Sequence, residues 1–421
     1  MMVGDGEKDL GSWSEQSERL WELASDNGMP RRHFLALLVA GGAAAVVAAC
    51  GGGGSSSVPI TGSAVSTIDP AALFKDPTPF IQRGASLESR LELMPGLITP
   101  NDLFFVRNNS TSVDLSVDDW SLVVEGDAVR QRLDLSFDDI RRLPSRSLVA
   151  FLECAGNHRV MFDRLQGRVA DGTQWGRGAV GNSEWLGVSL ADVLTLADLA
   201  DDAVSVLLVG LDEDSPEGGF QRVLPLEKAL DPDTILAYGM NGEPLPRDHG
   251  FPLRAIVPGW VGSSQIKWLG RIVVSADPQW TRNNTTSYVL IGDDYSPEGE
   301  ALGQVVTEQN IKSALALPWP ARLDSGQHVV GGFAHSPHGR IHRVQWSEDG
   351  GASWRDSRVL DPQPQYSWAQ FEFEWTATEG EHTIMTRATD AAGNTQPDRV
   401  PFNQKGYLFN QPLPHPIRVT A

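Results

Sequence analysis

The stretch SLVAFLECAGN, residues 147–157, is a run of apolar and β-favouring residues that ends at a glycine and an asparagine. A short apolar run bounded by such a turn signal predicts a β-strand. Cys154 then stands near the end of this strand, where the chain turns. Loops that follow strands often present functional groups. Because Cys154 is one of only two cysteines in 421 residues, its thiol is the first candidate for a functional role.

Short apolar strands and helical segments are mixed around this stretch, from about residue 77 to residue 282. WSLVVEGD at 120–127 has the composition of a strand. LADVLTLADLA at 190–200 has the apolar spacing of an amphipathic helix. We therefore predict an α+β domain over residues 76–295.

The pattern changes after about residue 296 to alternating strands with regularly spaced turns. In HRVQWSEDGGASWRDSRVLD, residues 342–361, the step Asp349-Gly350-Gly351 between two such strands is a hairpin signal. The spacing of strands and turns is typical of a β-sandwich of roughly 100 to 125 residues. We predict an immunoglobulin-like β-sandwich over residues 296–421.

The first fifty residues have the character of an export signal and are set aside from the fold. Arg31 and Arg32 precede an apolar run at 34–49 that is shorter than a bilayer-spanning helix. This arrangement is typical of a twin-arginine signal. The run ends in VAAC, which resembles a lipobox, so Cys50 is a candidate for a lipid anchor. A cleaved signal with an incidental Cys50, or a weak membrane anchor, are the alternatives.

Residues 51–75 contain GGGGSSS and predict a flexible linker. An acidic stretch precedes Met29, which makes Met29 an alternative start of the chain. We expect export by the twin-arginine route to the periplasm or to the outer face of the cell membrane. With Cys50 lipidated, Cys154 is the single remaining thiol, so no internal disulfide forms. The thiol is then a buried inert group, a nucleophile or a metal ligand.

The formal net charge of -20 disfavours nucleic acid and anionic membrane surfaces as partners. A protein partner with a positively charged surface is compatible with this net charge. An anionic substrate is held only where positive side chains are concentrated locally. Four stretches provide such groups, each of which alone is compatible with ordinary surface charge. They are FFVRNN with Arg107 and Asn108, CAGNHR with Arg159, RDHGFPLR with His249 and Arg254, and GSSQIKW with Lys267.

Several long motifs occur in one order from about residue 101 to residue 397. They include NDLFFVRN, ECAGNHR, MNGEPLPRDHGFPLR and VQWSEDGGASW. With these motifs the chain resembles the sulfite oxidase family of molybdenum enzymes. The resemblance implies an α+β molybdopterin-binding domain followed by an immunoglobulin-like dimerisation domain. A symmetric homodimer is therefore expected.

The resemblance implies that Cys154 is the thiolate ligand of molybdenum, with one molybdenum-molybdopterin per chain. A polarisable thiolate suits a metal that is already held by sulfur. Residues that match the family's cofactor contacts are Arg107, Asn108, Cys154, Asp212, His249, Arg254, Gly262, Ser263, Ser264 and Lys267. Residues that match its substrate pocket are Arg107, Arg159, Trp175 and Tyr288.

Three positions depart from the vertebrate pattern of the family. Asn109 replaces a histidine and His158 replaces an arginine. Ala369 stands at the position assigned to a further substrate arginine from the C-terminal domain. Since no haem-binding domain precedes the molybdenum domain, we expect electrons to leave to a separate acceptor, such as a basic c-type cytochrome.

The resemblance thus predicts oxygen-atom transfer, with sulfite oxidised to sulfate. Reduction of a sulfoxide, or oxidation of another sulfur compound, is the alternative among enzymes. A cell-surface binding or structural protein with a vestigial molybdenum site is the alternative from another class.

Overall fold

The computed structural model describes residues 73–421. The predictions for the signal, for Cys50 and for most of the linker concern residues outside this range, and they stay predictions. Within the described range, no helix combines the length and the apolar character that a membrane crossing requires.

The part of the chain before residue 310 mixes strands with short helices, as the sequence predicted. Its strands are β1 (Ile81–Gln82), β2 (Leu87–Glu88), β3 (Ser121–Gly126), β4 (Leu133–Ser136), β5 (Ser145–Glu153), β6 (Val180–Ser189), β7 (Ser205–Gly210), β8 (Gln221–Pro225), β9 (Ile235–Met240), β10 (Glu243–Pro244), β11 (Arg254–Ile256), β12 (Leu269–Ser275), β13 (Val289–Leu290) and β14 (Gln304–Val305). Its α-helices are α1 (Phe137–Arg142), α2 (Val160–Gln166), α3 (Leu190–Leu196), α4 (Leu226–Ala229) and α5 (Arg282–Thr285). Its 3₁₀ helices are Leu91–Leu93, Arg247–His249 and Gly262–Ser264.

One five-stranded sheet, in the order β10-β9-β6-β5 with β11 also paired to β9, carries Cys154 at its edge. Strand β5 pairs antiparallel with β6 along its whole length, and it ends at Glu153. The predicted strand end before Cys154 is therefore confirmed. The chain then turns through Asn157, whose N–H donates to the carbonyl of Cys154 at 2.9 Å.

A second five-stranded sheet, in the order β4-β3-β12-β7-β8, contains the strand predicted at 120–127 as β3. Strand β7 is buried at every position, so it lies inside the domain. The predicted helix at 190–200 is confirmed as α3, but it ends at Leu196. Asp198 has a φ of 51°, a left-handed conformation that stops the helix.

The C-terminal part is a sandwich of a four-stranded and a five-stranded sheet, in the orders β15-β17-β21-β20 and β16-β23-β22-β18-β19. Its strands are β15 (Lys312–Leu315), β16 (Ala321–Asp324), β17 (Gly326–His335), β18 (Ile341–Ser347), β19 (Arg355–Asp356), β20 (Arg358–Val359), β21 (Ala369–Ala377), β22 (Gly380–Asp390) and β23 (His415–Thr420). The predicted hairpin is confirmed, because β18 pairs antiparallel with β19 across Gly350 and Gly351, both with positive φ. In β21 apolar residues alternate with polar ones, and the apolar set faces the core between the sheets.

The C-terminal segment returns to the cysteine. Leu408 N–H donates to the carbonyl of Ala155 at 2.9 Å. The hairpin β13–β14 spans the boundary predicted at residue 295, since its strands pair across it. Residues from both parts of the chain therefore surround the turn that follows β5.

Candidate functional site

A cavity of about 660 Å³, counted out to the solvent at its mouth, opens beside Cys154. Most of the residues predicted from separate motifs line this one cavity. They are Arg107, Asn108, Cys154, Asp212, His249, Arg254, Gly262, Ser263, Lys267 and Tyr288.

Cys154 is partly exposed to this cavity rather than fully enclosed. Its backbone N–H donates to the carbonyl of Ala179 at 2.9 Å, which continues the pairing with β6 for one residue. Gly262 packs against the same turn, and a Cβ there would lie 2.9 Å from the carbonyl oxygen of Glu153. A small residue is thus required at position 262, which keeps the backbone close to the thiol.

Two buried cations form one wall of the cavity. Arg254 donates to the carbonyls of His249, at 2.9 Å, and Gln265, at 3.1 Å, and burial lowers its pKa to about 9. Lys267 donates to Asn108 Oδ1 and, at 2.9 Å, to the carbonyl of Asp248. Burial lowers the pKa of Lys267 well below its usual value, and the charge of Arg254 lowers it further. Both cations donate to neutral oxygens and, among residues 73–421, have no opposite charge bonded to them. A bound anion would therefore compensate the free-energy cost of burying their charges.

The two carboxylates near these cations are occupied by other donors. Asp212 accepts from Phe220 N–H and from the Ser110 hydroxyl, each at 2.8 Å. Asp248 Oδ1 accepts from the Ser112 hydroxyl at 2.5 Å. Its Oδ2 accepts from the main-chain N–H groups of Phe74 and Lys75. The acids therefore order the surrounding loops and only partly offset the positive charge.

Lys75 is a site residue that the sequence analysis missed, because it stands at the end of the predicted linker. Its Nζ donates to the carbonyls of Asn101, at 2.6 Å, and Phe104, at 2.7 Å, and it lies 2.6 Å from His249 Nε2. Burial lowers the pKa of Lys75 to about 7, although Asp248 opposes the shift. Burial and then Lys75 lower the pKa of His249 well below its usual value, so the imidazole is neutral.

A chain of hydrogen bonds crosses the mouth of the cavity. Arg107 Nη2 donates to Asn109 Oδ1 at 2.7 Å, and Asn109 Nδ2 donates to the Tyr288 hydroxyl at 3.1 Å. The Tyr288 ring stacks on Tyr407 with centroids 5.5 Å apart. Asn109, which departs from the family pattern, thus links two of the four residues predicted to line the substrate pocket.

Three predicted residues lie outside the lining of the cavity. Arg159 donates to the carbonyls of Lys405, at 2.7 Å, and Thr173, at 2.6 Å, and its guanidinium lies 5.1 Å from the Tyr407 ring centroid. Trp175 is fully buried in an aromatic and aliphatic cluster. Ser264 is fully buried, and its hydroxyl has no partner. The roles predicted for these three residues stay predictions.

The assignment of Ala369 to the substrate side is wrong. Ala369 is an inward-facing residue of β21, paired with Ala334 in the sandwich core, because the alternation of that strand points it away from the surface. The C-terminal segment FNQKGYLFN, residues 402–410, packs beside the cavity, because its Tyr407 stacks on Tyr288 and its Leu408 N–H donates to the Ala155 carbonyl. Its Tyr407 and the carbonyl of Lys405 contact Arg159. This segment has no strand or helix period, so only its glycine and aromatic residues could have drawn attention to it.

The cavity fits an anionic cofactor with a phosphate group. Arg254 Nε and the Ser263 hydroxyl are buried, and neither has a hydrogen-bond partner in the part of the chain that the structure describes. Both residues line the cavity. Lys267 and Arg254 supply charge-assisted donors of the kind that phosphate prefers. Within residues 73–421 no group of three His, Cys, Asp or Glu side chains is arranged to hold a metal ion. Cys154, the predicted protein ligand of molybdenum, is accessible from the same cavity.

The sequence matches two protein-family models. Residues 109–282 match the oxidoreductase molybdopterin binding domain, and residues 303–418 match the Mo-co oxidoreductase dimerisation domain. Together they confirm the predicted fold class, a molybdopterin-binding α+β domain followed by an immunoglobulin-like dimerisation domain. They also confirm the predicted cofactor, molybdenum-molybdopterin.

Curated relatives and a solved structure agree with these matches. Mitochondrial sulfite oxidase of Mus musculus is 35% identical over 346 residues, covering 78% of this chain and 63% of that protein. Sulfite oxidase of Arabidopsis thaliana is 32% identical over 347 residues, covering 76% of this chain and 88% of that protein. The crystal structure of the sulfane dehydrogenase SoxCD from Paracoccus pantotrophus has a TM-score of 0.70 at 28% identity and covers 80% of this chain and 87% of that one. The match to the Mus musculus protein spans less than two thirds of that protein's length.

Proposed function

The chain belongs to the sulfite oxidase family of molybdopterin-dependent oxidoreductases, and from this premise we propose that it oxidises sulfite to sulfate. The overall reaction converts sulfite and one water to sulfate, two protons and two electrons. When bound, the molybdenum cofactor supplies the oxygen-atom transfer and takes up the two electrons. The chain's own residues bind the cofactor, orient the oxyanion and surround it with positive charge.

The observation that carries this proposal is a cationic cavity at a partly exposed cysteine in an acidic protein. Arg107, Arg254 and Lys267 line the cavity around Cys154, although the chain has a net charge of -20. A local cluster of cations can attract a doubly charged anion against the field of the whole protein. Such an arrangement suits both an anionic cofactor and an anionic substrate.

The lining residues divide into two roles. Lys267, Arg254 and Ser263 would hold the phosphate and pterin of the cofactor, and Cys154 would be the protein ligand of its metal. Arg107 and Tyr288 are joined through Asn109 at the mouth of the cavity. These two would orient the oxyanion, Arg107 by charge and Tyr288 by a hydrogen bond from its hydroxyl.

The electrons would pass to a separate acceptor with a cationic surface, such as a c-type cytochrome. The acidic net charge supports this partner, since opposite charges steer association. The match to the dimerisation domain supports a homodimer. Export by the twin-arginine route, with or without a lipid on Cys50, is proposed from Arg31, Arg32 and the VAAC end of the signal. The twin-arginine route carries folded proteins, which suits a cofactor that is inserted before export.

A steady-state assay tests the proposal. Protein purified from a host that makes molybdopterin is expected to reduce ferricyanide with sulfite, and to be inactive with a panel of sulfoxides and a reduced viologen dye. Turnover of sulfoxides without turnover of sulfite would contradict the proposal.

Oxidation of a sulfane sulfur is the second candidate substrate reaction. It is favoured by the structural similarity to a sulfane dehydrogenase. Adding a persulfide to the ferricyanide assay separates the two, because a higher kcat/KM for the persulfide than for sulfite would favour the second candidate.

A further inference from the structure

Arg222 of β8 is a buried guanidinium that the proposed function does not use. Its side chain is fully enclosed. It donates to the main-chain carbonyls of Asn283 and Val306, and its Nε has no acceptor. Within residues 73–421 it forms no ion pair with a carboxylate. The titratable groups that act on its charge are two tyrosines, Tyr288 and Tyr407.

Arg222 contacts residues that precede and follow Tyr288 in the sequence. Asn283 lies in α5, a few residues before Tyr288. Val306 accepts from Arg222 through its carbonyl, and its N–H donates to the carbonyl of Tyr288 at 2.9 Å. The guanidinium carbon itself lies 5.7 Å from the centroid of the Tyr288 ring. Arg222 therefore lies beside the Tyr288 ring without lining the cavity itself.

The charge of Arg222 is kept despite its burial. Burial lowers its pKa to about 10, which leaves the guanidinium protonated at neutral pH. Burying an ion without a counter-ion is costly, so such a group is retained where its charge or its geometry has a use. Here the unneutralised charge lies one aromatic ring away from a cavity that is proposed to bind a dianion.

We propose that Arg222 is a positioning residue that holds Tyr288 at the cavity and strengthens the binding of the oxyanion with its unneutralised charge. This inference deepens the proposed function and rests on it. Its two parts, position and charge, are separable by substitution. A lysine at position 222 keeps the charge but cannot donate to both carbonyls through one planar group.

Arg177 provides a matched control. It is also buried, donates to two main-chain carbonyls, of Leu315 and Leu317, each at 2.7 Å, and lies 5.1 Å from the ring centroid of Trp319. Burial lowers its pKa to about 10 as well. Arg177 does not line the cavity. It thus matches Arg222 in burial, main-chain partners and an aromatic neighbour, but Glu92 and Glu88 act on its charge.

The experiment compares holoenzyme variants Arg222→Met, Arg222→Lys and Arg177→Met. The KM for sulfite, kcat and the inhibition constant of sulfate are measured by steady-state kinetics. Tyr288 is followed by ¹⁹F NMR after labelling the five tyrosines with 3-fluorotyrosine, and its resonance is assigned from Tyr288→Phe. Sulfate affinity is measured separately by calorimetry.

We expect Arg222→Met to raise both the KM for sulfite and the inhibition constant of sulfate roughly tenfold, with a smaller change in kcat. The Tyr288 resonance should shift or broaden. Arg222→Lys should recover the KM but not the resonance, and Arg177→Met should leave both unchanged. Should Arg222→Met fold poorly, the lysine variant still decides the question.

A wild-type KM and an unshifted Tyr288 resonance in Arg222→Lys and Arg222→Met would overturn the inference. Equal losses of sulfate affinity in both variants would overturn its charge component. If the wild type does not oxidise sulfite, the proposed function fails, but the Tyr288 resonance and the calorimetric sulfate affinity still decide the role of Arg222.

Discussion

Lys312 Nζ lies 2.8 Å from Oε1 of Glu153, the residue immediately before Cys154, and both side chains are buried. Lys312 belongs to β15 of the C-terminal sandwich, whereas Glu153 ends β5 of the α+β part. Asn157 Nδ2 also donates to this carboxylate, at 2.8 Å, and Gln309 Nε2 donates to the Glu153 carbonyl at 2.6 Å. The C-terminal sandwich thus holds the strand end that presents the candidate metal ligand.

Removing the lysine of this pair should destabilise the protein strongly. Lys312→Met removes the cation paired with the buried Glu153 carboxylate, which keeps Asn157 as a donor and has His335 Nε2 at 3.5 Å. Because burial lowers the pKa of His335 to about 4, this histidine is neutral, and we expect a loss of about 3–5 kcal/mol in the free energy of unfolding. Denaturant unfolding of the cofactor-free protein measures it. The double variant Lys312→Met with Glu153→Gln removes both charges and should recover much of the loss. A single variant as stable as the wild type would show that the ion pair does not hold the strand end.

Cys154→Ser tests the metal ligand. A hydroxyl is a harder and less acidic ligand than a thiol, so we expect the variant to lose molybdenum. Elemental analysis of protein from a molybdopterin-producing host should find about one molybdenum per wild-type chain, as expected from the family, and far less in the variant. Circular dichroism controls for folding. A metal-free wild type would favour the vestigial-site alternative.

Lys267→Met should separate cofactor binding from stability. Because burial lowers the pKa of Lys267 well below its usual value, its charge is unfavourable without an anion nearby. We therefore expect the cofactor-free variant to be at least as stable as the wild type, but to retain roughly tenfold less molybdopterin, measured by pterin fluorescence. Lys228→Met, which removes a lysine paired with Asp231 outside the cavity, is the control. A variant with full cofactor content would exclude a phosphate-binding role for Lys267.

The pH dependence of stability should contain a contribution from Lys75. Burial lowers its pKa to about 7 in the folded protein, whereas the usual pKa of lysine is 10.5, so between these two pH values the unfolded chain binds more protons. The free energy of unfolding should then rise with pH across this window, by at most about 1.4 kcal/mol per pH unit from this residue, with the full penalty present below pH 7. Lys75→Met should flatten the rise between pH 7 and pH 9 in the cofactor-free protein. Parallel profiles for variant and wild type would contradict this assignment.

Local sequence signals predicted the structural elements whose conformation is set by residues adjacent in the chain. The apolar run with its turn placed the end of β5 before Cys154, and the alternation with two glycines placed the β18–β19 hairpin. The RDHGFPLR motif brought His249 and Arg254 to the site for the same reason, since its residues are close in the chain. Asp248, in the middle of that motif, was passed over although it orders the entry of the chain into the domain.

Contacts between distant segments had no such signal. Glu153 and Lys312 are 159 residues apart, and Arg159 and Lys405 are 246 apart. Ala369 was matched to the position of the family's arginine from the stretch SWAQF, which does not show which face of the strand meets the other sheet.

By itself, the sequence determined the family, the two-part fold, the candidate metal ligand and about half of the lining of one cavity. Turn signals, the alternation of apolar and polar residues, and contiguous motifs each occupy only a few consecutive residues. They can therefore be recognised in the sequence alone. Only the tertiary structure decided that Tyr407, Lys75 and Arg222 contact residues of the cavity lining, and that Trp175 and Ser264 are not part of that lining. Burial, charge partners and the identity of the residue behind each ring depend on the packing of segments that are far apart in the chain.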